Sequence, residues 1–143
     1  MITVQDVAAY ILSKKSPVTA MKLQKLCYYA QAWSLVWDDR PLFSDRIEAW
    51  ANGPVAPALY ARHRGQFEVI GSEIGGDAPV LTEDERDTVD AVLEHYGDKS
   101  SQWLGELVHQ ERPWKDARHG LHPGERGETE ITHAAMAEYY GSL

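Results

Sequence analysis

Several things are scarce in this chain, and each scarcity excludes something. There is one cysteine, Cys27, so no internal disulfide can form, and a reducing compartment fits that usage. No apolar run approaches the ~20 residues that a membrane-spanning helix needs. The N-terminus, Met-Ile-Thr-Val-Gln-Asp, has no basic flank and no extended apolar stretch, so it does not read as a signal peptide. The expected location is the cytoplasm. Positive charge is also scarce: 14 Lys and Arg stand against 22 Asp and Glu, a net charge of −8. Such a chain repels phosphate backbones overall, so nucleic acid is not the expected partner.

The chemistry of known enzyme motifs is missing too. Of the six histidines only His119 and His122 have ligand-like spacing, and no cysteine pair accompanies them. Gly71, Gly75 and Gly76 are not followed by the Gly-Lys-Ser/Thr of a phosphate loop. Cys27 lies between Leu26 and Tyr28 on an apolar helix, where a buried, inert thiol is the usual state. The carboxylates from Glu83 to Asp90 read as the solvated face of a capped helix. The expectation is a protein that is not an enzyme and holds no cofactor and no metal.

What is present is a good core. Of 143 residues, 43% are apolar and 10% aromatic, including five Trp and seven Tyr, which suits one compact domain spanning 1–143. Periodicity predicts a first helix over Thr3–Ser13, ended by Ser16-Pro17, and a second over Thr19–Trp37. The second is apolar around most of its circumference and should be central. Partial alternation over Leu42–Trp50 predicts a small β-ribbon, and Asn52-Gly53-Pro54 is a turn signal. A short helix is expected over Pro57–Arg64. A Gly-rich, hinge-like loop over 65–81 follows, with one short strand at Phe67–Ile70. Thr82-Glu83-Asp84-Glu85 is a capping box that opens a helix to Tyr96. Another helix runs from Ser100 or Ser101 to Arg112-Pro113-Trp114, residues 118–130 form a loop, and Ile131-Thr132 opens a last helix. The fold class is therefore mainly α: a compact bundle of five to six helices around a central apolar helix, with a small β-ribbon. Leu23, Leu26, Ala30, Trp33 and Trp50 should be mostly buried.

One block carries a resemblance. Leu23-Gln24-Lys25-Leu26, Tyr28-Tyr29-Ala30-Gln31-Ala32-Trp33, Pro41-Leu42-Phe43, Glu48-Ala49-Trp50 and Gly53-Pro54-Val55 occur in register. This block resembles the signature of the SocA-like, or Panacea-domain, antitoxin family. It is strongest over 21–62, extends over roughly 3–115, and leaves the tail beyond Arg118 unmatched. The resemblance implies a bacterial or phage-associated antitoxin that neutralises a cognate protein toxin by binding it. It also implies a link to the ClpXP protease, since the family's founding member is a proteolytic adaptor. It names no catalytic residue.

Aromatic and basic residues around the block then supply the candidate toxin-facing set: Lys22, Lys25, Tyr28, Trp50, Asn52, Gly53, Pro54 and Tyr60. Tyr28, Tyr29, Trp33, Trp37, Trp50, Tyr60, Trp103 and Trp114 are too many for so small a core, and tyrosine and tryptophan are enriched at interfaces. Lys14, Lys15, Lys22 and Lys25 form one basic cluster near the first two helices. The competing reading is a DNA-binding regulator of its own operon, with Thr19–Trp37 as part of a helix-turn-helix. Against it stand the apolar character of that helix and the acidic chain.

Overall fold

A computed structural model describes all 143 residues. The first helix, α1 (Val4–Lys15), starts at a capping box: the Thr3 side chain accepts from the Asp6 N–H, and the Asp6 carboxylate accepts from the Thr3 N–H. Val4, Val7, Ala8, Ile11 and Leu12 form its buried stripe. A two-residue strand, β1 (Val18–Thr19), leads into α2 (Ala20–Trp37), whose N-cap is Thr19. Helix α2 is buried on every side from Leu23 to Ala32. A helix this apolar all round has to be covered all round.

The ribbon lies further on than the sequence places it. Strand β2 (Glu48–Trp50) pairs antiparallel with β3 (Gly53–Val55), in the register Glu48 with Val55, Ala49 with Pro54 and Trp50 with Gly53. The turn is therefore Ala51-Asn52, and Gly53-Pro54 begins the second strand instead of making the turn. Gly53 has φ +137°, a backbone region that L side chains rarely enter, which is why a glycine stands there. Pro54 has no N–H to give to a ladder. It is tolerated because its partner Ala49 turns both backbone groups to the opposite edge. There the Ala49 N–H donates to Thr129 O at 2.8 Å, and the Ala49 carbonyl accepts from Arg118. Ile131 N–H likewise donates to Ile47 O at 2.8 Å, so the tail folds back along the ribbon.

After the ribbon comes α3 (Pro57–His63), then β4 (Glu68–Val69), which pairs with β1. The stretch 65–81 is not a hinge. Val69 and Ile74 are fully buried, Asp77 N–H donates to Asp6 Oδ1 at 2.9 Å, and Gly76 is pressed against the Gln5 carbonyl. Gly76 serves close approach to α1, whereas Gly65 and Gly75 take positive φ. Helix α4 (Glu83–Tyr96) begins at the expected Thr82 capping box. Helix α5 (Ser101–Gln110) follows, and the chain then adds α6 (Arg112–Ala117) before α7 (His133–Gly141). Helix α6 brings the count to seven, one more than the periodicity predicts: Pro113 lies in its first turn, where a missing N–H costs nothing, so it opens a helix and does not merely end one.

Helix α2 is the hub. It packs against α1, α4, α5, α7 and β3. Leu23, Leu26 and Ala30 are fully buried as expected, whereas Trp33 and Trp50 are only half-buried. At the α7 side the core becomes polar. Tyr29 stacks on Tyr96 with ring centroids 4.2 Å apart, and the Tyr29 and Tyr140 hydroxyls both donate to Glu111 Oε1 at 2.7 Å. The Glu111 carboxyl is buried with no cation beside it. Burial pushes its pKa up, against the two tyrosine donors, which pull it down. No helix is long and apolar enough to cross a membrane.

Candidate functional site

Two glutamines within the apolar helix α2 build the frame of the site. Gln31 accepts from the Leu42 and Phe43 N–H groups through Oε1, at 2.7 and 3.2 Å, and donates to Phe43 O at 2.7 Å. Gln24 accepts from Ala56 N–H at 2.9 Å and points its amide nitrogen at Ala56 O and His63 Nε2. Each side chain thus satisfies backbone groups of a segment that has no strand partner there. The first fixes Pro41-Leu42-Phe43, and the second fixes the step from β3 into α3. The sequence signal was visible: two glutamines seven positions apart on an otherwise apolar helix.

The frame presents a groove of about 580 Å3. One wall is the ribbon tip, Trp50 to Asn52, and the floor is Met21 and Val55. Tyr60 and Arg64 close the side of α3, and Gly124 with Arg126, Gly127 and Glu128 close the opposite side. Trp50 meets Tyr60 edge to face, centroids 4.9 Å apart. Its orientation is held from two directions: its ring N–H donates to Glu48 at 2.8 Å, and its carbonyl accepts from the Trp114 ring N–H at 2.8 Å. Glu48 is itself held by Arg46 at 2.8 Å. The 124–128 wall is set by Arg118, a buried guanidinium that donates to the carbonyls of Ala49, His122 and Glu125.

On the other side of the ribbon tip stands Lys25. Its residue is only 4% exposed, and its ammonium, with no partner in the protein, keeps contact with solvent, since no fully buried side-chain nitrogen lacks a hydrogen bond. Burial lowers its pKa from the ordinary lysine value. It passes between two glycines. A Cβ at Gly53 would lie 3.4 Å from Lys25 Cε, and one at Gly105 would lie 3.9 Å from Lys25 Nζ. His109 is a neighbour, stacked on Trp114 at 4.1 Å. Burial lowers the His109 pKa most; its bond to the Asn52 backbone raises it, and the charges of Lys25 and Arg118 lower it further.

The structure sorts the eight candidates. Trp50, Asn52 and Tyr60 come together on the groove. Gly53 and Pro54 are buried parts of the ribbon that shape it. Lys25 is buried beside that ribbon. Tyr28 is 1% exposed, with its hydroxyl 3.1 Å from that of Tyr140, so it is a core residue and leaves the surface set. Lys22 lies elsewhere: its ammonium donates to Gly97 O at 2.7 Å, at the C-terminal end of α4, where a cation suits the helix dipole. Lys15 approaches the same glycine, and Lys14 reaches Asp90 at 3.9 Å. The four lysines are thus not one basic cluster. Met21, Val55, Arg64 and the 124–128 wall were not anticipated. Nothing in local spacing reveals them, because the tail reaches the groove only by pairing with the ribbon. No three His, Cys, Asp or Glu side chains converge to hold a metal ion, and burial pushes the Cys27 thiol pKa up, away from reactivity.

Comparison with known proteins agrees with this frame. Residues 23–115 match the family described as antitoxin SocA-like, Panacea domain. The chain is 30% identical over 129 residues to Antitoxin SocA of Caulobacter vibrioides (strain NA1000 / CB15N), covering 79% of this chain and 69% of that protein. No solved structure matches it. The matched stretch contains Gln24, Gln31, Lys25 and the whole ribbon, and the chain belongs to the SocA-like, Panacea-domain antitoxin family.

Proposed function

We propose that this protein neutralises a cognate protein toxin by stoichiometric contact, and that the groove at the ribbon tip is the contact surface. Family membership supports the antitoxin role. The observation that carries the location is the pairing of Trp50 with Tyr60 over an open apolar floor, on a frame anchored to the central helix. Aromatic side chains held in fixed orientation give contact area at low entropic cost and are typical binding anchors. The groove is concave and open, and suits a protruding side chain or short segment of a folded protein.

Turnover is not part of this reading. The groove has aromatic, arginine and backbone groups, but no nucleophile with a base beside it. DNA binding is disfavoured by the net charge of −8 and by the burial of Lys25 on the would-be recognition helix, with Lys22 spent on Gly97 O at the end of α4. Delivery to a protease such as ClpXP is compatible with the same contact, since an adaptor must also hold its cargo.

The test is a titration against the protein encoded by the reading frame adjacent to this chain's gene. Purified antitoxin is added to that protein and its toxic activity is followed. Complete inhibition near one antitoxin per toxin protomer supports the reading. Inhibition by a small fraction, growing with time and with no protease present, would show that the chain is an enzyme.

A further inference from the structure

We infer that the groove at the ribbon tip takes a two-residue element of the toxin, an apolar side chain with a carboxylate on the neighbouring residue, and that Arg64 is the group that reads the carboxylate. The inference rests on the toxin-binding reading above and names the chemistry of that contact.

Charge marks the groove out from the rest of the surface. The chain has 14 basic side chains against 22 acidic ones. The groove reverses that balance, with Arg64 and Arg126 set against one carboxylate, Glu128. Arg126 and Glu128 answer each other, Nη2 to Oε1 at 2.9 Å. Arg64 is left over. It is exposed at the C-terminal end of α3 and enters none of the ion pairs of the fold. An exposed arginine is stable without a partner, so its place is what matters. Its backbone N–H donates to Tyr60 O at 2.9 Å, which sets Arg64 one helical turn from Tyr60, and both side chains line the α3 wall of the groove. A carboxylate on a partner is repelled by an acidic surface in general and attracted at Arg64. Such a local reversal of sign fixes which part of the partner enters, and so sets register.

The floor selects the other half of the element. Met21 and Val55 lie beneath Trp50 and Tyr60, whose ring centroids are 4.9 Å apart at 66°. Trp50 is locked by Glu48 and by the Trp114 ring N–H. An apolar side chain set on this floor leaves water for rigid aromatic contact. The two rings meet edge to face, so they hold open no slot between parallel faces for a nucleobase, and Glu128 repels a phosphate. The groove therefore favours a protein segment over a nucleotide.

Two measurements on the full chain test this. The first needs no toxin: amide and indole N–H spectra are recorded while N-acetyl-Phe-Asp-amide is added. N-acetyl-Phe-Asn-amide, N-acetyl-Phe-Lys-amide and AMP are titrated in parallel at matched low ionic strength. Saturable shifts at the Trp50 indole, Met21 and Gly127 are expected with the Asp peptide. It should bind about two- to fivefold more tightly than the Asn peptide, as an exposed ion pair allows. Arg64→Gln should erase that difference, and so should added salt. No saturable shift with the Asp peptide, equal affinity for the Asp and Asn peptides, or tighter binding of the Lys peptide or of AMP overturns the inference. The second measurement uses the protein encoded by the adjacent reading frame. Arg64→Glu should melt within error of wild type, since Arg64 enters no ion pair of the fold. It should nevertheless associate with that protein severalfold more slowly at low salt, and the difference should close at high salt. Unchanged association of Arg64→Glu, while Trp50→Ala still weakens binding, overturns the role of Arg64 and leaves the antitoxin reading intact. Failure of wild type itself to bind counts against the toxin reading, and the peptide titration then still decides the chemistry of the groove.

Discussion

Gln24 grips Ala56 by both backbone groups, accepting from its N–H at 2.9 Å and facing its carbonyl at 3.4 Å. A side chain on the central helix thereby does for Ala56 what a neighbouring strand would do, at the point where the ribbon hands over to α3. Replacing Gln24 with Leu should leave a buried donor and acceptor without partners, at about 1–3 kcal/mol for each group. Chemical denaturation should show the loss as a lower midpoint at unchanged slope. Leu26→Ala offers a comparison from the dry core: full burial sets its expected cost at about 2–5 kcal/mol. A midpoint within error of wild type for either variant would refute its assigned role.

The same glutamine makes His63 sensitive to acid. Because Gln24 Oε1 is occupied by Ala56 N–H, its amide nitrogen faces His63 Nε2 at 2.9 Å, and that ring nitrogen must accept. Protonation would set N–H against N–H. Burial lowers the His63 pKa below 6.5 in the fold, so His63 contributes stability at high pH that is lost as pH falls below 6.5. The wild-type melting temperature should drop over that window more than that of His63→Gln, whose amide can still accept from Gln24. Parallel melting curves would show that the ring is not held neutral.

Glu111 works in the opposite sense. Its pKa is raised above 4.5 by burial, so the fold favours the protonated acid. The folded state then binds more protons than the unfolded one, and this group's contribution is present below 4.5 and declines as pH rises through its folded value. Glu111→Gln keeps an acceptor for Tyr29 and Tyr140 but has no proton to lose. The difference in stability between the variant and wild type should therefore grow in favour of the variant as pH is raised from 4.5 towards neutrality. A constant difference across that range would mean that the carboxyl ionises as freely in the fold as in the open chain.

Trp50 and Tyr60 can be tested against Lys22, which lies away from the groove. Trp50→Ala and Tyr60→Ala should each weaken toxin binding by about 2 kcal/mol or more, as buried aromatic anchors do. Lys22→Ala should bind as wild type does and show only a small loss of stability from its missing contact with Gly97 O. Rescue of cells expressing the toxin is the readout. Loss of rescue with Lys22→Ala and not with the aromatic variants would move the interface to the end of α4.

Much of this was legible in the sequence wherever the signal is local. Thr3, Thr19 and Thr82 announce their helices because capping is settled within one turn. The all-round apolarity of α2 marks it as central for the same reason. Failures came where a distant partner decides. Tyr28 and Tyr60 are both tyrosines of the matched block, but Tyr28 sits on the all-round buried α2, where α7 brings Tyr140 against its hydroxyl. Pro113 reads as a stop and is a start, because the difference depends on where the chain turns next. Gly71 and Gly76 read as freedom, and α1 packs against both. The wall of Gly124, Arg126, Gly127 and Glu128 was invisible because it belongs to a segment far along the chain, brought in by the bond from Ala49 to Thr129.

That wall has a consequence for how such a protein diversifies. Arg118 fastens one end of the 119–128 segment to Ala49, and the bond between Thr129 and Ala49 fastens the other. Between the two clasps the chain is almost entirely exposed, and it lies outside the stretch, 23–115, that matches the family. Closure entropy rises only slowly with loop length, so length changes at the exposed tip around Gly124 cost little chain entropy, provided the carbonyls that Arg118 holds at His122 and Glu125 are kept. The segment forms one wall of the groove. If the groove is the contact surface proposed above, exchanging this segment would recast one of its walls and leave the helices untouched.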